Sequence, residues 1–371
     1  MNHFDAIVIG LGGVGSAALS HLARSGCHVL GLEQFQVGHS LGSSHGETRV
    51  IRKAYFEHPS YVPLLKRSYE LWDALEKDSG ETLFERCGVV QIGPPDGDVI
   101  QGVLRSADQH GLEVERLDRE QLREKAPMLR LPDGMAALWE EDGGLLHVEA
   151  CVKAHARDAI RRGATVLQGE RVVNWHSDGE GVVVRTLSDR YSADRVLFCA
   201  GAWTSSLLSR IGRPLNVLRK VQIWSSAEQP WRHAPVFLYD LESGVFYGFP
   251  DCGTGVKVAE HSGGEAVDPN ALDRDLHGGD LDRVVGFNQR WLEGLGAPHR
   301  HAVCMYTMSP DENFLVGPHP KGSRVFVAAG LSGHGFKFCP VLGEGLAQMM
   351  TAGTSSLDFE FLSPSRLGGS L

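Results

Sequence analysis

The stretch Asp5-Ala6-Ile7-Val8-Ile9-Gly10-Leu11-Gly12-Gly13-Val14-Gly15 decides the fold of this chain. Its apolar run predicts a strand over Phe4–Gly10 that is buried on both faces of a parallel sheet. Gly10, Gly12 and Gly15 then match the pattern G-x-G-x-x-G, in which backbone N–H groups and a helix N-terminus approach a pyrophosphate. The stretch therefore predicts the start of a dinucleotide-binding unit.

Two further elements complete the predicted βαβ unit. A helix is expected over Gly13–Ser25, and a second strand over His28–Glu33. Glu33 ends that strand at about the 20-residue spacing at which a carboxylate binds ribose hydroxyls. Both FAD and NAD use this fingerprint, so the motif leaves the choice between these cofactors open.

Length, charge and cysteine spacing limit the class of protein. A chain of 371 residues is long for one core, so we expect two domains. The formal net charge of −10 includes no basic block, which speaks against a nucleic-acid partner. No apolar run reaches the roughly 18 residues of a membrane span, and the first strand begins too early to leave room for a signal peptide. Seven widely spaced cysteines without a CxxC pair predict a reduced, cytoplasmic protein.

The predicted elements are interleaved rather than arranged in tandem. Strand-then-helix order indicates an α/β fold (α+β overall) with a Rossmann-like domain that is discontinuous in sequence, over residues 1–83, 146–211 and 309–371. Residues 84–145 and 212–308 are rich in alternating strands, and we expect them to form an inserted mixed β-sheet substrate domain. Helices are predicted from Trp203 to about Ile211 and around Asp280–Leu295.

A Gly/Ser-rich loop follows the nucleotide-binding strand and carries three basic side chains. The segment Ser43-Ser44-His45-Gly46-Glu47-Thr48-Arg49-Val50-Ile51-Arg52 delivers His45, Arg49 and Arg52. Guanidinium groups there could stabilise negative charge on a reduced cofactor or hold a substrate carboxylate in a bidentate pair. From the residues alone, solvated loop charges remain an alternative.

This segment closely resembles the HGxTRxxR stretch of the monomeric sarcosine oxidase and N-methyltryptophan oxidase family, which belongs to the D-amino acid oxidase-like superfamily. The resemblance implies an FAD-dependent amine oxidase with a discontinuous FAD-binding domain. Further matches follow in order along the chain: Tyr61-Val62-Pro63-Leu64, Gly201-Ala202-Trp203, Tyr247-Gly248-Phe249-Pro250, Val303-Cys304-Met305-Tyr306-Thr307 and Gly333-His334-Gly335-Phe336-Lys337-Phe338.

The predicted role of Cys304 depends on that resemblance. Taken alone, it reads as a small buried hydrophobe in a strand. Within the match to the family's CMYT sequence, it looks like the residue whose sulfur bonds the flavin 8α-carbon, so the FAD is expected to be covalent. His299 and His301 with Cys304 do not indicate a metal site, because no fourth ligand accompanies them.

Other roles are also implied by the resemblance. Lys257 matches the family lysine that sits over the flavin and activates oxygen, whereas a strand lysine alone would be read as solvent-facing. His261 and Tyr247 match a histidine and a tyrosine of the substrate pocket. Arg52 and Lys337 are expected to bind the substrate carboxylate.

The chain also departs from the family pattern. Ser44 stands where the sarcosine enzymes have a second histidine, and Lys53 replaces a histidine just after the basic loop. The segment Leu238-Tyr239-Asp240 differs where a methionine lines the small sarcosine pocket. These departures leave the expected chemistry in place and the size of the substrate open.

The expected activity is oxidation of a secondary, N-methyl amino acid such as sarcosine. The enzyme is expected to be a monomer that uses O2 and releases H2O2, and hydrolysis of the imine product then gives an aldehyde. A cyclic imino acid (pipecolate or proline-like) or a glycated amino acid is the alternative substrate; an NAD-dependent dehydrogenase and a non-catalytic nucleotide-binding protein are alternatives of other classes. The catalytic candidates are Lys257, His45, Arg49, His261 and Tyr247. The cofactor-binding candidates are Gly10, Gly12, Gly13, Val14, Gly15, Glu33, Gln34, Ser43, His45, Arg49, Val172, Gly201, Trp203, Cys304, Gly333, Gly335, Phe336 and Lys337.

Overall fold

The glycine-rich start of the chain folds as a strand, a turn and a helix. The computed structural model describes residues 3–177, 180–208, 215–320 and 322–367. Strand His3–Ile9 pairs in parallel with strand Val29–Glu33, and helix Gly13–Arg24 connects them. The predicted βαβ unit is therefore present, with ends within a few residues of those expected.

Within the described residues the chain forms twenty strands and eight α-helices. The strands are β1 His3–Ile9, β2 Val29–Glu33, β3 Thr48–Ile51, β4 Phe84–Arg86, β5 Val89–Gly93, β6 Glu115–Leu117, β7 Ala136–Glu140, β8 Gly144–His147, β9 Thr165–Gln168, β10 Val172–Ser177, β11 Val182–Thr186, β12 Arg190–Phe198, β13 Asn216–Ala227, β14 Val236–Leu241, β15 Gly244–Gly248, β16 Val256–Glu260, β17 Glu265–Ala266, β18 Leu295–Met308, β19 Leu315–His319 and β20 Gly322–Ala329. The helices are α1 Gly13–Arg24, α2 Tyr61–Ser79, α3 Asp98–His110, α4 Arg119–Lys125, α5 Val148–Arg161, α6 Thr204–Leu207, α7 Gly278–Trp291 and α8 Cys339–Ala352.

The first sheet carries the dinucleotide-binding unit. Its parallel strands follow the order β9-β2-β1-β12-β20, and β10, β11 and β19 extend it with antiparallel pairing. Side chains alternate across β1: Ala6 and Val8 join the core beneath α1, whereas Ile7 and Ile9 join the core on the opposite face. Helix α1 packs against α5 and α8. The α/β fold class expected from the sequence is thereby confirmed.

The second sheet is mixed and lies over the site. Its order is β17-β13-β16-β15-β14-β5-β7-β6, with β18 added to β13, and only the β14–β5 pair is parallel among its described strands. Helix α7 covers one face, where Phe287 stacks on Phe246 at 4.5 Å between ring centroids. A small third sheet, β3-β8-β4, contains Thr48–Ile51, so the last part of the segment 43–52 that was predicted as a loop is a strand, because it pairs with β8.

Two helix predictions were wrong in extent. The helix expected from Trp203 to about Ile211 is a 3-10 turn over Gly201–Trp203 followed by the single-turn α6, and residues 209–214 lie outside the described residues. The helix expected around Asp280–Leu295 ends at Trp291 instead. Leu295 opposes Ala227 in the β18–β13 ladder, so cross-strand pairing takes the last residues of the predicted helix.

Candidate active site

The turn between β1 and α1 forms one wall of a cavity of about 360 Å³. Gly10 has φ 88°, and a Cβ added there would lie 2.5 Å from the carbonyl oxygen of Cys199. A Cβ on Gly15 would lie 1.8 Å from the carbonyl oxygen of Gly10. These close approaches leave no room for a side chain, which explains why glycine occupies both positions.

The N-terminus of α1 faces this cavity with backbone donors. Gly12 precedes the helix in an extended conformation and supplies no side-chain cap, and the first turn contains no acidic residue. Ser44 Oγ accepts from the Gly13 N–H at 3.1 Å. Within the described residues the Val14 and Gly15 N–H groups have no partner, as expected of the first turn of a helix. The helix dipole and these donors make the turn suited to an anion such as a pyrophosphate.

Glu33 is fixed on the same wall by backbone donors. Its Oε2 accepts from the Leu11 N–H at 2.8 Å, and its Oε1 accepts from the Phe35 N–H at 3.0 Å. Each carboxylate oxygen keeps a further lone pair for another donor. The carboxylate is therefore positioned to accept hydrogen bonds from ribose hydroxyls, as the sequence predicts.

The rest of the wall also fits an extended dinucleotide. Glu170 Oε2 and Thr307 Oγ1 belong to residues that line the cavity, and both atoms are buried without a hydrogen-bond partner in the described structure. Buried polar atoms of that kind normally have partners, which a bound ligand can supply. The predicted cofactor-binding residues on the wall are Gly10, Gly12, Gly13, Val14, Glu33, Gln34, Ser43, Arg49, Val172, Gly201, Trp203, Gly333, Gly335, Phe336 and Lys337.

Cys304 lies directly behind this wall. It is fully buried in β18, opposite Lys220 of β13. The Arg49 guanidinium donates to Cys304 Sγ at 3.4 Å, and the sulfur is 3.5 Å from the Ser43 carbonyl oxygen. Arg49 and Ser43 both line the cavity, whereas Cys304 itself does not. The sulfur is thus separated from the cavity by the basic loop.

Lys257 and His45 also lie off the wall. Lys257 Nζ donates to the carbonyl oxygens of Gly46 and Thr48, each at 2.7 Å, and thereby ties β16 to the basic loop. Burial lowers the pKa of Lys257 well below its usual value. Burial, followed by Arg49, lowers the pKa of His45 to about 3, so its imidazole is neutral near pH 7.

A second, smaller cavity adjoins the first and shares Arg49, Tyr306 and Lys337 with it. Tyr247 and His261 line it too, and the Tyr306 hydroxyl lies 3.4 Å from the Tyr247 hydroxyl and 3.2 Å from His261 Nδ1. Burial, with a smaller influence from Lys220, lowers the pKa of His261 to about 3. The imidazole is therefore a neutral hydrogen-bonding group at this wall.

The small cavity also carries charged side chains. Arg52 donates to both carboxylate oxygens of Glu57, at 3.0 and 3.2 Å, and to Gln91 Oε1 at 3.1 Å. Lys337 Nζ donates to the His334 carbonyl oxygen at 2.8 Å. Burial, and next Arg52, lowers the pKa of Lys337 to about 7. All four predicted substrate-binding residues thus meet at one cavity, although they come from distant parts of the chain.

Sequence reasoning missed four polar residues of this cavity: Tyr306 and His334, which were quoted only as parts of matched motifs, and Glu57 and Gln91. Glu57 lies in an irregular loop, where no periodic pattern marks it. Gln91 did leave a signal, because it is the single polar side chain in the apolar strand Val89-Val90-Gln91-Ile92-Gly93. A polar side chain in a strand buried on both faces requires a partner, and here that partner is Arg52.

A Rossmann-type nucleotide wall that opens beside a small cation-lined cavity defines a nucleotide-dependent oxidoreductase of small molecules. The profile of the DAO family, described as FAD dependent oxidoreductase, matches residues 5–349, and the chain belongs to this family. The chain is 39% identical to the monomeric sarcosine oxidase of Streptomyces avermitilis, with 98% of each chain covered. It is 38% identical to the N-methyl-L-tryptophan oxidase of Yersinia pestis, with 98% of this chain and 99% of that protein covered. The solved structure of the open form of NikD, an unusual amino acid oxidase essential for nikkomycin biosynthesis, superposes with a TM-score of 0.88 at 25% identity, over 98% of each chain.

The protein is an FAD-dependent amine oxidase that acts on a small molecule. The expected resemblance to monomeric sarcosine oxidase and N-methyltryptophan oxidase is confirmed, and the NAD-dependent and non-catalytic alternatives are set aside. Among the described residues, no cluster of three or more potential metal ligands is found. No described helix combines the length and apolar character that a membrane crossing needs.

Proposed function

We propose that the enzyme oxidises small secondary amino acids, with sarcosine as the type substrate. When bound, FAD supplies the acceptor for a hydride equivalent from the carbon next to the substrate nitrogen. Water then hydrolyses the imine product to an aldehyde and a primary amine, and O2 is the final acceptor and yields H2O2. Two observations support this proposal: the wall of the larger cavity is suited to a dinucleotide, and the similar proteins are named as oxidases of N-methyl amino acids.

The meeting of Arg52 and Lys337 on the small cavity carries the proposal. Their side chains come from β3's end and from the turn before α8, and both point to a site that can hold a carboxylate through charge-assisted hydrogen bonds. Tyr247 and His261 line the same cavity, and both contact the Tyr306 hydroxyl. These neutral groups are suited to orient the substrate amine towards the larger cavity.

The size of the small cavity limits the substrate. Its volume is about 50 Å³, and it opens into the larger cavity. A space of this kind favours a compact amino acid such as sarcosine, or a cyclic imino acid such as pipecolate, which is the second candidate. It favours both over a glycated amino acid, which carries an additional sugar.

We assign Cys304 as the attachment point of the flavin. The match to the family's CMYT sequence supports this assignment, as does the contact of the sulfur with Arg49 and Ser43, two residues that line the larger cavity. Lys257 is assigned to the reaction with O2. Its Nζ is fixed beside the basic loop by two hydrogen bonds to backbone carbonyl oxygens, and a polar group held in this way can stabilise an anion that develops next to it. We assign Arg49 and neutral His45 to the flavin site.

Several broader expectations remain proposals. Residues 1–83, 146–211 and 309–371 are proposed as the FAD-binding domain, and 84–145 with 212–308 as the substrate domain; the two large sheets are built from strands that follow this division. We also propose a monomer without a nucleic-acid partner, consistent with the net charge of −10. The free cysteines favour a reducing compartment such as the cytoplasm.

A peroxide-coupled screen tests the proposed function. Purified yellow enzyme should release H2O2 with sarcosine or pipecolate and should be inactive with a fructosyl amino acid. Dimethylamine, which is sarcosine without its carboxylate, is the matched control and should be a poor substrate. Equal rates with sarcosine and dimethylamine would exclude carboxylate recognition, and a lack of peroxide with every secondary amino acid would exclude the activity.

A further inference from the structure

Gln91 is a buried polar side chain on the wall of the small cavity. It lies in β5 between Leu238 of β14 and Leu138 of β7, and only 1% of its surface is exposed. Val89 and Gln91 share the cavity face of this strand, whereas Val90 and Ile92 join the core on the other face. Several of its neighbours on the cavity wall are apolar (Val89, Val236 and Leu238), so Gln91 adds an amide to a wall that otherwise has few uncharged polar groups there.

The orientation of the Gln91 amide is fixed by Arg52. Arginine has only donors, so the atom that accepts from Arg52 Nε at 3.1 Å must be the amide oxygen. The amide nitrogen is then the other end of the group. Within the described residues Gln91 Nε2 has no hydrogen-bond partner, and its residue lines the cavity. Two N–H bonds are therefore available to a molecule in the cavity.

We propose that Gln91 is a specificity-determining residue that donates from Nε2 to an oxygen on the substrate side chain. The preferred substrates are then N-methyl amino acids with a short side chain that ends in an acceptor oxygen, such as a hydroxyl or amide. This inference rests on the proposed function and narrows it. A side chain that reached this wall without an acceptor would leave the amide nitrogen buried and unpaired, which costs free energy that a polar side chain avoids.

Isosteric substrate pairs isolate the contribution of one hydrogen bond. N-methyl-L-serine is compared with N-methyl-L-2-aminobutyrate, and N-methyl-L-asparagine with N-methyl-L-leucine, so that size stays nearly constant within each pair. For the native enzyme we expect kcat/KM to favour the polar member of at least one pair by about tenfold, in line with a net hydrogen bond. Oxidation of both apolar members as fast as, or faster than, their polar partners would overturn the proposal.

Two variants separate substrate contact from the support of Arg52. Gln91→Leu removes both ends of the amide and should reduce the polar-to-apolar ratio to about one, even if overall activity falls because Arg52 loses its support. Gln91→Glu keeps an oxygen acceptor for Arg52 but has no N–H when ionised, so it should lose the ratio as well. If both variants keep the native ratio of kcat/KM between polar and apolar substrates, Gln91 does not act as a hydrogen-bond donor to the substrate.

The control is Gln101→Leu, because Gln101 is an exposed glutamine on α3 that lines neither cavity. It should retain the native ratio. Calorimetric binding of the matching 2-methoxy acids, in which oxygen replaces the amine nitrogen, gives a readout without turnover and should show the same ratio. If no N-methyl amino acid is oxidised, the proposed function fails; if both apolar members are oxidised at least as fast as their polar partners, only the role of Gln91 fails.

Discussion

Replacement of Arg52 by methionine is expected to destabilise the protein through the carboxylate that it leaves behind. In the native structure 4% of the Arg52 side chain and 18% of the Glu57 side chain are exposed, and Arg52 Nη2 donates to both carboxylate oxygens of Glu57. Breaking a fully buried pair costs about 3–5 kcal/mol, and an exposed pair contributes about 0–1 kcal/mol. The partial exposure of Glu57 places the expected loss in free energy of unfolding at about 2 kcal/mol near pH 7.

The measurement is urea unfolding of four proteins: native, Arg52→Met, Glu57→Gln and the double variant. The double variant contains no unpaired charge, so it should be more stable than Arg52→Met by about 1–2 kcal/mol. Although burial is the largest influence on Glu57 and raises its pKa, Arg52, then His334 and Lys337, leave the pKa lowered. In the native protein the stabilisation by Glu57 is therefore present above its unfolded pKa and is lost as pH falls through the folded pKa.

The Arg52→Met variant should respond to pH in the opposite sense. Burial then dominates the pKa of Glu57, which rises, and protonation relieves the unpaired charge. The stability gap between native protein and variant should therefore narrow as the pH is lowered from about 7 to about 4. Additive effects of the two single substitutions, or a gap that is constant with pH, would refute this account of the pair.

Three further predictions concern the cofactor and the substrate carboxylate. Cys304→Ala should release its flavin into the supernatant on acid precipitation, whereas the exposed Cys252→Ala should keep it in the pellet; protein-bound flavin in the first variant would assign the linkage elsewhere. Lys257→Met should be reduced by substrate at a near-native rate under anaerobic conditions but reoxidised about 100- to 1,000-fold more slowly in stopped flow, since one preorganised polar group is worth roughly 2.7–4 kcal/mol; fast reoxidation with slow reduction would contradict the assignment. Burial lowers the pKa of Lys337 to about 7, so its ammonium charge is lost as the pH rises through that value. The Kd of methoxyacetate, measured by calorimetry, should therefore increase above pH 7 in the native enzyme and should not change with pH in Lys337→Arg.

The nucleotide half of the site could be predicted from sequence because its signals are local. The apolar run of β1, the three glycines and Glu33 lie within about thirty residues, and each acts through backbone geometry that the chain forms almost by itself. Cys304 and Lys257 required the family resemblance, since a buried cysteine or a strand lysine carries no periodic signal of its own. Local pattern also misjudged the end of α7, where the ladder between β18 and β13 takes over the chain.

The sequence by itself thus determined the dinucleotide fold and, through the family motifs, FAD and the residues expected around it. Tertiary structure decided what those residues touch: Arg52 meets Glu57 five positions on and Gln91 thirty-nine positions on, and Arg49 covers Cys304 from 255 positions away. It also decided the size of the small cavity and placed on its wall the amide of Gln91, whose nitrogen donates to no other described residue. The physical reason is that contacts between distant segments depend on how two sheets pack together, whereas helix, strand and turn propensities act over a few residues.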